Sequence, residues 1–371
     1  MSGSVEPSLN NKPEVPQAPE GPSVVPVLNP DLPAARPVKL DYWQILIGLI
    51  FSIGSIYLSF QGVQISQISA AFSEVNLWLV ALAFAVSVIT LVAKAFRWKL
   101  LFAQHPPTLQ RSFAIQTIGI FLNSILPARL GDLLRAYMMG EEQSLSKMYV
   151  LGTIGVEKVF DLIFLVFSIF LLLPQVVFPT WVSRPSEYTA ILVGVLIVIG
   201  SIIAWKREGF LRLFERFSIF LPGRWRGWVL RQIRNLLASL ESVRNTRQLM
   251  AIFLWTLFIW ILGFATNWLV FVALDLPLSF LPAIFLLVVL QVGVAVPSSP
   301  GRIGVFHYIT VLALSVFSIA KEPALSCGII LHLIVYVPLT LLGAYYIWEE
   351  KISWSKLMKT ITLATNWGKI K

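Results

Sequence analysis

Apolar runs separated by short clusters of charge divide this chain into segments of two lengths. Residues 42–60, 77–95, 149–173, 188–205, 251–274 and 324–348 are each nearly continuous in apolar residues. Each is long enough for a helix to cross a hydrocarbon core about 30 Å thick. Two further runs, 113–126 and 281–296, are too short to cross, and each ends at a proline, Pro127 and Pro297. A proline removes a backbone donor and disfavours helix at the residue before it. The short runs are therefore predicted to break inside the membrane and turn back, as re-entrant hairpins over residues 113–149 and 281–320. Broken backbone at that depth is tolerated only where protein or a wet cavity covers it. The fold class predicted is an all-α polytopic membrane protein of about six full transmembrane helices plus two re-entrant helical hairpins. Three full crossings between residues 281 and 348 satisfy the same parity, so the second half stays open between these two arrangements.

Composition agrees with a membrane protein: of 371 residues, 57% are hydrophobic and 13% charged, against roughly 25% charged in soluble domains. The net charge of +10 comes from cations lying between the apolar runs, as the positive-inside rule requires. Arg36 and Lys39 precede the first run, Lys94, Arg97, Lys99 and Arg111 follow the second, and Lys351, Lys356 and Lys359 follow the last. Residues 206–248 carry ten arginines and lysines against three glutamates. All these segments, and both termini, are assigned to the cytoplasmic side of the cell membrane. No nucleic-acid partner is expected once the cations are accounted for in this way. Within 206–248, arginines interleave with Phe, Leu and Trp, which suits amphipathic helices lying on anionic lipid. Three regions follow: a proline-rich polar tail at 1–40, a membrane domain at 41–350 and a basic tail at 351–371. The first tail lacks the apolar core of a signal peptide and reads as a disordered linker or a docking segment for a partner protein. With Cys327 as the single cysteine and His105, His307 and His332 scattered, neither an intramolecular disulfide nor a metal site is expected. No G-x-x-x-x-G-K-[ST] stretch suggests ATP binding, and no cofactor is expected.

The candidate chemistry gathers in residues 122–140, which place Arg129, Asp132 and Arg135 around the first break. An ionisable group at bilayer depth costs roughly 2.5–3.5 kcal/mol on insertion scales, so it needs a partner, a wet cavity or a function. Pro127 and Gly131 shape this hairpin tip, and Pro300, Gly301 and Gly304 shape the second, beside Arg302. Positions 127, 129 and 131 recur as Pro, Arg and Gly at 300, 302 and 304, a constant offset of 173. Paired interrupted hydrophobic segments of this kind point to a transporter-like site at the interface of an inverted repeat. A third group, Glu157, Lys158 and Asp161, lies in the run 149–173, with Glu157 about 12 Å along the helix from Tyr149. Glu157 and Asp161, four residues apart, share a helical face and repel unless a cation is near; Arg129 or Arg135 is the candidate. Two readings fit this cluster: an ion-pair network that locks hairpin to helix, or direct contact with a substrate.

At these residues the chain resembles the lysylphosphatidylglycerol synthase transmembrane domain, or flippase-like, family. The resemblance rests on Arg97-Trp98-Lys99-Leu100-Leu101, on Asn123 with Pro127-x-Arg129-x-Gly131-Asp132 and Arg135, on Val156-Glu157-Lys158-x-x-Asp161, and on Pro300-Gly301-x-x-Gly304. It extends from about Tyr42 to Trp348. Lys158 stands where the family usually has arginine, and His307 where its late motif often ends in an acid. The resemblance implies movement of a phospholipid or lipid-linked molecule between leaflets, and no separate aminoacyl-transfer domain is expected within these 371 residues. On that reading Arg129, Arg135 and Arg302 hold a lipid phosphate through charge-assisted hydrogen bonds. Asp132, Glu157 and Asp161 would balance them, or take a basic headgroup or a coupling proton. Two other classes remain open: a membrane enzyme acting on a lipid-linked substrate with one of these acids as base, and a non-catalytic assembly subunit.

Overall fold

The computed structural model describes residues 42–64, 66, 72–103, 106–126, 129–175, 194–195, 206–218, 223–293 and 300–352. Pro127, Pro297, the tails at 1–40 and 353–371, and most of the expected span 188–205 lie outside the described residues. Helices α1 (Tyr42–Phe60), α2 (Leu77–Leu100), α3 (Leu109–Ile125), α4 (Leu130–Glu142) and α5 (Lys147–Leu172) form the first part. Helices α6 (Arg207–Phe217), α7 (Gly223–Ala238) and the short α8 (Glu241–Arg244) follow. The second part contains α9 (Thr246–Ala273), α10 (Phe280–Gly293), a 3-10 turn at Pro300–Arg302, α11 (Val305–Ser315) and α12 (Lys321–Glu349). All regular structure among the described residues is helical.

Among the described residues three helices are long and apolar enough to cross a bilayer: α2, α9 and α12. Helix α5 has 26 residues, sufficient in length, but Glu157, Lys158 and Asp161 interrupt its apolar surface. Large apolar side chains exposed on these helices, among them Phe167 and Phe170 of α5, Leu254 and Ile261 of α9 and Leu341 of α12, suit contact with lipid rather than water. Asparagines cap the starts of α2 and α9. Asn76 Oδ1 accepts from the Trp78 and Leu79 amides, and Asn245 Oδ1 from those of Arg247 and Gln248, satisfying donors that a helix start leaves open.

Both short apolar runs fold into pairs of short helices. In the first pair, α3 stops at Ile125 and α4 begins at Leu130; in the second, α10 stops at Gly293 and α11 begins at Val305. The order long, short, short, long thus occurs twice: 24, 17, 13 and 26 residues in α2–α5, and 28, 14, 11 and 29 in α9–α12. The ends of α2 and α9, at 100 and 273, and of α4 and α11, at 142 and 315, are separated by the same 173 residues that separate the motifs. Helices α2 and α9 pack antiparallel. The Asn76 amide donates to the Ala273 carbonyl at 2.9 Å, while near the other end Phe96 lies against Trp255 with ring centroids 4.5 Å apart.

The first hairpin closes at a glycine crossing. A Cβ on Gly131 would fall 2.0 Å from the Gly119 carbonyl oxygen and 2.8 Å from Asn123 Oδ1. A Cβ on Gly119 would fall 2.2 Å from Cγ of Arg135. Gly131 itself is helical, so it serves close approach of α4 to α3, and the tight backbone geometry expected of it falls on Arg129 instead. In the second hairpin Gly304 meets both demands: its φ is 89°, and a Cβ there would fall 2.5 Å from the Ser52 carbonyl oxygen of α1.

This crossing generates a stability prediction. Gly131→Ala forces backbone apart and is expected to destabilise by about 1–3 kcal/mol, the usual scale of overpacking. Gly155→Ala on α5, where a Cβ meets nothing within 4 Å, is expected to be neutral or to stabilise by up to about 1 kcal/mol. Thermal unfolding in detergent distinguishes the two; equal melting temperatures would refute the close crossing.

Candidate functional site

Four helices converge on one buried ionic cluster. Helix α2 runs unbroken to Leu100, so Arg97 and Trp98 lie within its last turn rather than in a cytoplasmic loop. Arg97, one of the cations following the second apolar run, is wholly buried. Its guanidinium grips Asp161 with two parallel bonds, Nη1 to Oδ1 at 2.5 Å and Nη2 to Oδ2 at 3.2 Å. The same Nη1 donates to Thr256 Oγ1 of α9 at 3.3 Å, and Nη2 lies 3.6 Å from Glu157 Oε1. The other oxygen of Glu157, Oε2, accepts from Arg135 Nη2 at 2.8 Å. Glu157 therefore lies between two guanidinium groups, with the Lys158 ammonium also 3.6 Å away.

Arg135 reaches this point because Gly119 leaves room for its stem, as the crossing described above requires. Its guanidinium carbon sits 4.3 Å from the centroid of the Trp98 ring, a cation–π contact that is strengthened by loss of water. The Trp98 indole donates to Thr153 Oγ1 at 3.2 Å, so the ring is fixed from both sides. Asp132 is more loosely held: its Oδ1 accepts from Asn123 Nδ2 at 3.0 Å and lies 3.4 Å from Arg135 Nη1. The side chains of Arg97 and Arg135 are fully buried and that of Glu157 is 4% exposed, whereas Asp132 and Asp161 keep 15% and 31% of theirs exposed.

The sequence names most of these residues but mismatches one pair. Arg135 is the cation for Glu157; Asp161 takes Arg97, and Arg129 takes neither. The missing signal is charge balance, because two acids on one face of α5 require two cations and Arg135 supplies one. A second ionic clamp lies at the base of the first hairpin. Arg111 donates to both oxygens of Glu142, at 2.7 and 2.6 Å, and bonds Glu350 beyond the end of α12.

The two hairpin tips are built differently from the cluster. Arg129 adopts a left-handed backbone with φ 53° and ψ 39°, provides no side-chain cap for α4, and is exposed. It forms no ion pair among the described residues. Arg302 is also left-handed, with φ 57°, directly after Gly301 with φ 74°. Left-handed backbone costs a residue other than glycine roughly 1–2 kcal/mol, so two arginines held this way at matching positions are a shared device. The second tip packs against α3 of the first hairpin, and Arg302 lies within hydrogen-bonding reach of the Tyr336 hydroxyl on α12. Among the described residues no group of three His, Cys, Asp or Glu side chains could hold a metal ion.

Comparison with known proteins fits this architecture. Residues 45–343 match the family described as the lysylphosphatidylglycerol synthase transmembrane region. A UPF0104 membrane protein of Methanocaldococcus jannaschii is 28% identical over 237 residues, covering 63% of this chain and 96% of the relative. Two UPF0104 membrane proteins of Methanothermobacter thermautotrophicus are 24% and 22% identical, over 83% and 76% of this chain and 92% and 86% of their own lengths. With the matched region spanning all the helices from α2 to α11 and most of α1 and α12, the chain belongs to the lysylphosphatidylglycerol synthase transmembrane region family of multi-pass membrane proteins.

Proposed function

We propose that the protein moves a phospholipid or lipid-linked molecule between membrane leaflets, and that Arg129 and Arg302 at the two broken tips hold its phosphate. The observation that carries this reading is the division of labour among the cations. Arg97 and Arg135 are committed to Glu157, Asp161 and Asp132, whereas Arg129 is exposed at the start of α4 and free of ion pairs among the described residues. A guanidinium so placed offers paired, charge-assisted hydrogen bonds to a phosphate. Asp132, Arg135, Glu157 and Asp161 then act as the brace that holds the first tip in position, through Gly131, Gly119 and Asn123. The engagement of these acids by cations also leaves none of them free as the base of a group-transfer enzyme. The family's description after the synthase of a membrane lipid agrees with a lipid substrate.

The repeated helix order supports an inverted repeat. Helices α2 and α9, related by the offset of 173, lie antiparallel, as two equivalent spans of opposite direction must. The two tips then enter from opposite faces, with Pro300, Gly301 and Gly304 shaping the second; Pro127 lies outside the described residues. Both termini and the basic segment 206–248 lie on the cytoplasmic side, where its arginines meet anionic lipid.

Leaflet exchange of headgroup-labelled phospholipids in proteoliposomes tests this reading. Arg129→Ala is expected to slow exchange about tenfold or more, the scale of one charged hydrogen bond of roughly 1.5–3 kcal/mol, with its melting temperature unchanged. Arg302→Ala is expected to act alike. Folded wild-type protein that exchanges no phospholipid or lipid-linked sugar would refute translocation. Arg97→Ala is expected to behave oppositely: it strands Asp161 and should cost about 3–5 kcal/mol of stability. Pairing it with Asp161→Ala should recover part of that loss in a double-mutant cycle; no recovery would dismiss the brace.

A further inference from the structure

Two of the three histidines meet at the second tip. The rings of His307 on α11 and His332 on α12 lie with centroids 4.9 Å apart, and both side chains are half-buried. Each holds the tip backbone on one side of Arg302. The Gly304 amide donates to His307 Nδ1 at 3.3 Å, and His332 Nε2 lies 2.9 Å from the Gly301 carbonyl oxygen. A carbonyl oxygen only accepts, so His332 carries its proton on Nε2. An amide N–H only donates, so His307 Nδ1 is bare. His307 is thus neutral in this arrangement, with its tautomer fixed by the tip itself, while the bond to Gly301 fixes only the Nε2 proton of His332.

We propose that His307 and His332 form a proton-binding site that switches the second tip between a closed state, with both rings neutral, and a released state in which Arg302 has moved. The first proton goes to His332, because its Nδ1 is open and the bond to Gly301 survives protonation. That ring also stacks on Tyr336, with centroids 4.4 Å apart and planes 19° apart, a face that stabilises a cation. On the hydroxyl side of the same tyrosine lies Arg302, so a charged His332 places two cations on one aromatic residue. His307 gives no relief, since a proton on its Nδ1 breaks the bond from Gly304.

Among the described residues no acid near the ring neutralises the added charge. Helices α1 and α10, which pack against α11, contain no Asp, Glu, Lys or Arg, and α11 adds only the Tyr308 hydroxyl. Against α12 lie α2, with Lys94, Arg97 and Lys99, α3, with Arg111, and α9, with Arg247. The acids of α12 itself, Glu322 and Glu349, stand at its two ends. Repulsion between like charges gathered on one aromatic residue is therefore relieved by displacement of the tip. The ion-paired acids Glu157 and Asp161 offer a coupling proton no comparable place. This assignment rests on the translocation reading for its purpose, though not for its chemistry.

The test uses the full chain in proteoliposomes, with a spin label attached through Ile303→Cys in a Cys327→Ser background. Ile303 is exposed and adjoins Arg302, whereas Cys327 is buried. Label mobility is expected to rise as pH falls from 8 to 5. It should become flat when His307→Asn and His332→Gln are introduced together, because the Asn oxygen replaces the Nδ1 acceptor and the Gln amide replaces the Nε2 donor without titrating. A wild-type label that does not respond, or one that responds equally in the double variant, overturns the site. A label that titrates only with the histidines present sustains it even if no lipid exchanges at any pH, and in that case translocation alone falls. Lipid exchange beside a pH-independent label removes the proton site and leaves translocation standing.

Discussion

The bidentate bond between Arg97 and Asp161, with Glu157 shared between Arg97 and Arg135, is the constraint on which the first half of the molecule depends. Each of these charges would be expensive alone in a membrane interior. Together they tie α2, α4 and α5, and through Thr256 also α9, so no one of these helices can shift without uncovering a charge. Removing one partner is costly because it leaves the other buried and unpaired. The network thereby converts a desolvation penalty into a fixed arrangement of helices.

Geometry as well as charge maintains that arrangement. The stem of Arg135 can cross α3 only over Gly119, and α4 can approach α3 only at Gly131. Trp98 then supplies a flat face under the guanidinium. The resulting corner is rigid at its base and open at its end, where Arg129 takes a left-handed backbone and an exposed position. The second hairpin has a different support. Its tip is held by two histidine side chains and by α1 against Gly304, with no ion pair between α10 and α11 among the described residues.

Much of this was legible in the amino-acid sequence. The short apolar runs match both pairs of short helices, and the Pro-x-Arg-x-Gly spacing marks the two places where an arginine, rather than the expected glycine alone, takes a left-handed backbone. The pairing of Glu157 with Arg135 was also within reach, because helical spacing aligns the acids and the hairpin brings the cation. Arg97 was not, since its place at the end of an apolar run reads equally well as an interfacial anchor; only the continuation of α2 through Leu100 buries it. Gly131 was recognised as special, but for turn geometry rather than for contact, because sequence shows that a side chain is absent and not what occupies its space. The role of His307 was hidden for a related reason: its partner His332 is close only once α11 and α12 have packed.

The clamp at Arg111 has a consequence for biosynthesis. Its two acidic partners are separated by more than two hundred residues, Glu142 closing the first hairpin and Glu350 following the last helix. A ribosome delivers the second long after the first, and Thr256, which joins α9 as the fourth helix to the central cluster, also arrives late. The first hairpin must therefore wait in the insertion machinery or the bilayer with these contacts incomplete. Synthesis through α12 supplies the final contact at the base of a structure begun far earlier in the chain, so maturation is tied to the arrival of that helix.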